Sequence, residues 1–472
     1  MHDIDAPAIQ ARVDEILNRW PAIGLAVGVV RDGSLRLFQG HGVADIASGT
    51  PITEDTAFRV ASITKTFTGI AVMQLYERGL VDLDAPANDY LRAYRLVSDR
   101  PGFGPATVRH LLTHTAGLGE VLHASDAFRR DFGESVPADR PVPTLAEYYR
   151  GGLHVHAEPG SRWTYTNHGF ATLGQLVEDV SGTPLPEYLR ERVFEPIGMT
   201  DTSLVRTSAI RSRLATGYGL RSGGAKPIAH REMITAGAAS AYSTTRDMGR
   251  YLAALLGGGG NEHGSVLEPA TLTTMFAPQY RPDPRIPGMG LAFWRAVTGG
   301  HTAVEHGGIL PGFTSQIFAA PDHGVGVMAF TNGARQAMLW LPGQTAGLLA
   351  ELLGVREPII RTDIAQHPEL WNEICGWYAL SGRLSDVRAR MMLGAGIGVF
   401  ARGGKLVLRG LSPVPSLLRG FELHPDDPDD PYVFRIDLSR YGIGTARVVF
   451  GRGTGATTVH LEFMPMTFRR VR

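Results

Sequence analysis

The chain has 472 residues, 43% of them hydrophobic and 19% charged, the composition of an ordinary globular protein long enough for two or three domains with large cores. Its 46 basic residues balance 46 acidic ones and no Lys/Arg run builds a positive stripe, which excludes nucleic acid and anionic membrane as expected partners and favours a small molecule. The first residues lack an apolar segment behind a basic start, no stretch of about 18 apolar residues could span a membrane, and the single cysteine, Cys375, excludes an internal disulfide framework, so a cytoplasmic protein is expected.

In chain order, residues 5–19 predict a helix with Ile9, Val13, Ile16 and Leu17 on one face. Residues 22–30 and 35–40 read as two strands around Arg31-Asp32-Gly33-Ser34, a hairpin with the Asp-Gly turn signal. Residues 58–79 follow, a helix apolar on nearly every face that Gly79 ends, as a helix buried all round requires. Helical patterns then dominate to about residue 288, at 108–114, 170–180, 185–193 and 246–256, with a four-glycine turn at 257–260. Strand patterns return at 289–296, 315–320 and 324–331, and 337–353 closes as a helix. An antiparallel sheet split between the N-terminus and residue 330, flanked by helices and with an inserted helical block, makes an α+β domain over 1–355. Residues 356–370 are a Pro-containing linker, and short strand-like runs at 387–393, 397–401, 406–408, 432–436, 446–450 and 458–463 predict a C-terminal antiparallel β-barrel or sandwich over 371–472.

Lys65 stands out within the long buried helix. Only Lys65, Lys226 and Lys405 are lysines in this arginine-rich chain, and a cation in the first turn of an apolar helix opposes the helix dipole and loses hydration. Arginine cannot give up its proton in a protein, whereas a desolvated lysine can. Ser62 precedes it by three residues, so the two side chains share a helix face and place a nucleophile beside a base. An N-cap role would explain Ser62 but not the pair, because a capping box wants Glu or Gln three residues on. Tyr165 and Asn167, two apart in an extended loop, would face one side together as a proton shuttle and an acyl-orienting amide, although the same residues also fit plain packing and a helix cap. His306-Gly307-Gly308 precedes the late strands; its paired glycines would let a substrate backbone approach with the histidine projecting toward it, or simply form a turn with a solvated histidine.

Together these three motifs, in this order, resemble the penicillin-recognising serine hydrolase superfamily, in particular the branch of class C β-lactamases, D-aminopeptidases and related esterases. The stretches Leu111-Leu-Thr-His-Thr-Ala-Gly-Leu118, Glu158-Pro-Gly160 and Phe194-Glu-Pro-Ile-Gly-Met199 add to the likeness, which covers roughly residues 10–350. The resemblance implies a β-lactamase/transpeptidase-like fold, acylation of Ser62, a general-base relay of Lys65 and Tyr165, and an acyl group held by Asn167. It further implies substrate binding at His306, Gly307 and Gly308, and an oxyanion hole from the backbone N–H groups of Ser62 and Ile309. Where β-lactamases begin the third motif with lysine this chain has His306, a residue mostly neutral near pH 7, so the resemblance points to the esterase or amidohydrolase side, with a β-lactamase or D-Ala-D-Ala carboxypeptidase-like penicillin-binding protein as the alternative. The C-terminal segment resembles the lipocalin-like domain appended to some of these hydrolases.

Other chemistry finds less support. His110 and His114, four apart, and His154 and His156, two apart, lack the glutamate and the carboxylate cluster of a metal hydrolase, and read as helix-surface histidines. No serine carries the Gly-x-Ser-x-Gly pattern of α/β-hydrolases. No metal and no cofactor is expected, and the partner is a small ester, amide or peptide. A non-enzymatic reading, a sensor acylated slowly or one that only binds ligand, stands beside the hydrolase.

Overall fold

The apolar run GLAVGVVR lacks alternation, as suits a strand covered on both faces, and in the computed structural model it is the buried centre of the main sheet. The structure describes residues 4–129, 131–380, 382, 386, 390, 394–410, 415–452 and 457–471. The sheet strands in chain order are β1 (Gly24–Arg31), β2 (Ser34–Asp45), β3 (Thr50–Pro51), β4 (Trp294–Thr298), β5 (His301–Leu310), β6 (Phe313–Ala320) and β7 (Val325–Thr331). Their spatial order is β4-β5-β6-β7-β1-β2-β3, antiparallel throughout. Asp32 and Gly33, both at positive φ, turn β1 into β2. The sheet is closed across the sequence where β1 meets β7, Leu25 opposite Thr331 and Arg31 opposite Val325.

Five longer helices cover the two faces: α1 (Ala6–Arg19), α2 (Thr64–Glu77), α3 (Asn167–Ser181), α4 (Thr245–Leu256) and α5 (Ala337–Leu352). Leu25, Val27 and Val29 share a core with Ile9, Val13 and Ile16 of α1 and Trp340 and Leu349 of α5. Ala26 and Val30 point the other way, into the core built around α2. Gly28 is needed there, because a Cβ would meet the Thr245 methyl of α4 at 2.9 Å.

Helix α2 is buried on nearly every side. Phe67 packs edge-on between Phe194 and Tyr251. The threonines that interrupt its apolar sequence are satisfied: Thr68 Oγ1 donates to the Gly237 carbonyl at 2.7 Å, and Thr66 Oγ1 lies 2.7 Å from the Tyr251 hydroxyl. Burying a hydroxyl with its bond made is nearly neutral, whereas leaving it unmade costs about 1–3 kcal/mol.

Several expected boundaries move, first that of the helix expected over 58–79, whose opening residues fall in the short strand Ala57–Arg59 and the 3-10 turn Ala61–Ile63 before α2 begins at Thr64. The 289–296 run is not one strand: Gly288 and Ala292 take positive φ, so Met289 makes only isolated bridges, to Tyr280 and Trp294, and β4 starts at Trp294. The helix expected at 108–114 ends at Leu112, and the 170–180 helix begins earlier, at Asn167. His306, Gly307 and Gly308 lie in the body of β5, not in a turn.

The C-terminal strands β8 (Gly376–Leu380), β9 (Gly396–Arg402), β10 (Lys405–Gly410), β11 (Phe421–Pro425), β12 (Val433–Asp437), β13 (Thr445–Arg452), β14 (Thr457–Leu461) and β15 (Met464–Arg470) form a closed antiparallel barrel of the up-and-down, lipocalin-like kind. Closure comes from β8 pairing with β15, Tyr378 opposite Arg470. Alternate residues such as Phe434, Ile436, Val448 and Phe450 fill the interior. The strand expected at 387–393 lies, apart from residue 390, outside the described residues. Strands β8, β11 and β15 add to the expected set, and Pro465 had disguised the last of them. The segment Asp283–Ile286 clips this barrel to the rest: Arg285 donates to Asp430 Oδ2 at 2.8 Å and to the Phe450 carbonyl at 2.9 Å, and Ile286 packs on Val433 and Val449.

Candidate active site

Ser62 is held in a 3-10 turn, Ala61–Ile63, that runs directly into α2. The turn is fixed from three sides. Strand Ala57–Arg59 pairs with Tyr242–Thr244, the Val60 N–H donates to the Ala241 carbonyl at 3.0 Å, and the Thr64 hydroxyl donates to the Ala61 carbonyl at 2.6 Å. Ala61 adopts φ +49°, a conformation that costs a non-glycine residue about 1 kcal/mol or more and that persists only where the surroundings impose it. Ser62 does not occupy the cap of α2, which falls on Ile63. Its Oγ lies 2.9 Å from Lys65 Nζ, as their three-residue spacing predicts.

Lys65 has no solvent exposure at all. Its Nζ donates to Asn167 Oδ1 at 2.7 Å and to the Ala238 carbonyl at 3.1 Å. Nζ thus places its three N–H bonds on these two carbonyl oxygens and Ser62 Oγ, and an amine that has lost one proton would keep the carbonyls as acceptors and turn its lone pair to the Ser62 hydroxyl. The ring of Tyr165 stands over the amine, its centroid 4.8 Å from Nζ. The chain thus brings Ser62, Lys65, Tyr165 and Asn167 together from two segments a hundred residues apart.

The helix cap falls to Thr166, whose hydroxyl accepts from the His168 N–H, so Asn167 is free of that duty and its amide spans from Lys65 to Glu134. Sequence reasoning missed Glu134. Its carboxylate is 2% exposed and accepts from Asn167 Nδ2 at 2.5 Å. No spacing rule links a glutamate to an asparagine 33 residues later. His114 was expected to be a helix-surface histidine, and the structure corrects that: it is buried at 2% exposure and at φ +57°. Its carbonyl accepts from Thr164 N–H at 2.9 Å and its Nδ1 from Thr166 N–H at 3.3 Å, bracing the backbone on both sides of Tyr165, whose ring it meets at 4.5 Å. His110 instead pairs its Nδ1 with the Thr107 N–H, and His154 and His156 both pair with Asp99.

Strand β5 runs past Ser62. Its pairing with β4 stops at Glu305 opposite Trp294, so beyond that point β4 does not cover its outer edge. A Cβ on Gly308 would meet the Val60 carbonyl oxygen at 2.2 Å and Ser315 Oγ at 2.3 Å, so the strand can lie against the Ser62 turn only because this residue is glycine. Ser315 Oγ donates to the same Val60 carbonyl at 2.8 Å, and Ile309, the next residue, is half exposed. His306 departs from both sequence readings, being neither solvated nor extended into an open cleft: its ring is 1% exposed and Nδ1–H donates to the Gly307 carbonyl at 2.7 Å. Burial, with the Lys65 charge nearby, pushes its pKa down to about 3, so the ring is neutral.

A family model described as Beta-lactamase matches residues 9–349. Esterase EstB of Burkholderia gladioli is 30% identical over 376 residues, covering 71% of this chain and 93% of that one. A D-aminopeptidase of Brucella anthropi is 29% identical over 70% of this chain and 60% of its own length. Among solved structures, the octameric penicillin-binding protein homologue from Pyrococcus abyssi superposes with a TM-score of 0.63 over 99% of this chain and all of that one, at 22% identity, a likeness of fold. With its Ser62-Lys65 turn, its Tyr165-Asn167 loop and its glycine-bearing strand in the family's order, and with the family model spanning most of its length, this chain belongs to the Beta-lactamase family, whose members are mostly serine hydrolases.

Proposed function

We propose that the protein is a serine hydrolase working through an acyl-enzyme on Ser62, with a small ester or an amide of D-aminopeptidase type as substrate. The observation that carries the reading is the fully enclosed Lys65 amine 2.9 Å from Ser62 Oγ, with both other directions occupied by carbonyl oxygens. Ser62 Oγ attacks the substrate carbonyl carbon and its proton passes to Lys65 Nζ. Tyr165, beside the amine, relays that proton to the leaving alcohol or amine as the acyl bond breaks. Water then attacks the acyl-serine by the reverse relay, releasing the acid. The backbone N–H groups of Ser62 and Ile309 hold the oxyanion, Asn167 holds the acyl portion, and Gly307 and Gly308 border the substrate, with the His306 ring buried.

The neutral His306 favours ester or amide substrates over carboxylate-bearing β-lactams, because a ring without charge gives a carboxylate no lasting attraction. The hydrolase unit is proposed to span 1–355, joined through 356–370 to the barrel unit 371–472. A panel of p-nitrophenyl esters, D-amino acid amides and nitrocefin tests the reading. Turnover of short esters or D-amino amides exceeding that of nitrocefin is expected; a stable acyl adduct without turnover would make the protein a sensor instead.

A further inference from the structure

The amide of Asn167 has two chemically distinct ends, and which end faces Lys65 decides what the lysine can do. We propose that Glu134 is the positioning residue that fixes this choice, holding Asn167 Nδ2 so that Oδ1 must face the lysine. The inference rests on the reading of Lys65 as the base for Ser62. A carboxylate only accepts hydrogen bonds, so with Glu134 Oε2 2.5 Å from Asn167 Nδ2 the amide has one satisfied orientation. Flipped, it would set oxygen against carboxylate, and its N–H would face the amine and compete for the lone pair that Ser62 requires. With Oδ1 fixed, Lys65 spends one N–H on Asn167 and one on the Ala238 carbonyl, and its remaining direction is the one toward Ser62.

Glu134 is itself placed firmly. Its N–H donates to the Asp131 carbonyl at 2.9 Å and its carbonyl accepts from the Ile234 N–H at 2.8 Å. The next residue starts the short strand Ser135–Pro137, paired with Arg231–Met233, and Arg231 ties Asp131 to Ser135. The carboxylate therefore reaches Asn167 from a braced backbone rather than from a loose loop. It also relays a negative charge toward Lys65 through one amide. Tyr165, its ring centroid 4.8 Å from Nζ, and His306, which is neutral, are further titratable groups beside the amine.

Because the chain has only three lysines, the test can be read without catalysis. Full-length protein labelled with 13Cε-lysine gives three side-chain signals, of which Lys226 and Lys405 are exposed references and Lys65 is identified by its loss in Lys65→Arg. In Glu134→Gln the Lys65 titration midpoint is expected to fall by about one pH unit, since a nearby negative charge favours the ammonium, while the references stay put. Glu134→Asp, which keeps the charge, should recover part of the shift. In the paired swap Asn167→Asp with Glu134→Gln, the carboxylate touches Lys65 directly and the midpoint should rise above wild type; this variant serves if Glu134→Gln does not fold. An unmoved Lys65 midpoint in Glu134→Gln, or in the swap, overturns the inference. Labelling of wild type by a fluorophosphonate is scored alongside. Its failure at Ser62 would defeat the hydrolase reading, while the lysine titration still decides the role of Glu134.

Discussion

At the scale of single residues, the site turns on a lysine where the rest of the chain uses arginine. Lys65→Arg keeps the charge but cannot shed the proton, and its labelling rate by a fluorophosphonate should fall by about 10³-fold, within the range expected for loss of a general base. An unchanged rate would remove Lys65 from the mechanism. Two neighbouring residues of β5 carry opposite pH signatures. His306, with its pKa lowered to about 3 by burial and the Lys65 charge, is neutral when folded but takes a proton near pH 6.5 when unfolded, so its contribution is intact above about 6.5 and is lost as pH falls toward 3. Glu305, raised to about 7 by burial against the opposing Gln316 bond, contributes below its unfolded value near 4.5 and loses that contribution as pH rises through 7. Each is worth at most about 1.4 kcal/mol per pH unit in its window, and between 4.5 and 6.5 the two slopes oppose. Urea melts across pH should show His306→Gln flattening the acid limb and Glu305→Gln the limb near neutrality; unchanged limbs would contradict these assignments. The Ser62-Lys65 pairing was legible because helix geometry makes a three-residue spacing a contact. Glu134 and the bracing by His114 were not, since each acts across tens of residues through contacts that only the folded chain defines.

At the scale of elements, β5 and the Ser62 turn are fitted to each other at one glycine. Gly308→Ala would push a methyl into the Val60 carbonyl and Ser315 Oγ, and both are backbone-anchored neighbours with little room to yield. Ser62 labelling should slow by about 10²-fold or more as the strand shifts from the turn, because small displacements at a catalytic centre cost that much. An alanine variant with wild-type labelling would show that β5 does not form part of the site. The elements themselves followed from pattern where it was strong, as in the Asp32-Gly33 hairpin and the largely apolar body of α2. They drifted where a single residue broke the pattern, as Ala292 at φ +64° does ahead of β4.

For the whole molecule, the split sheet and the separate barrel were visible in how strand-like and helical runs alternate along the chain. How the barrel attaches was not. The Arg285 clip draws on nearby Asp283 and on Asp430 and the Phe450 carbonyl, which lie 145 and 165 residues further along the chain. Asp283 is 8% exposed and Arg285 29%, so removing the guanidinium leaves a mostly buried carboxylate uncompensated at a cost of about 3 kcal/mol. In Arg285→Ala, hydrogen exchange should accelerate across β12 to β14 while the main sheet keeps its protection; uniform protection would mean that the clip holds nothing. Trp163 belongs to the same hydrophobic cluster as the barrel interior and its ring meets that of Tyr165, so the barrel core is continuous with the Tyr165-Asn167 loop. No helix among the described residues is long and apolar enough to cross a membrane.

The central claim is that the Ser62 hydroxyl becomes the acyl carrier. The most direct measurement is intact-mass and peptide mapping of the full chain, acid-quenched during turnover of a p-nitrophenyl ester, for wild type and Ser62→Ala side by side. The account predicts an added acyl mass on the peptide containing Ser62, and neither adduct nor turnover in the folded alanine variant. Turnover that persists in Ser62→Ala, or an adduct carried by another residue, would contradict it.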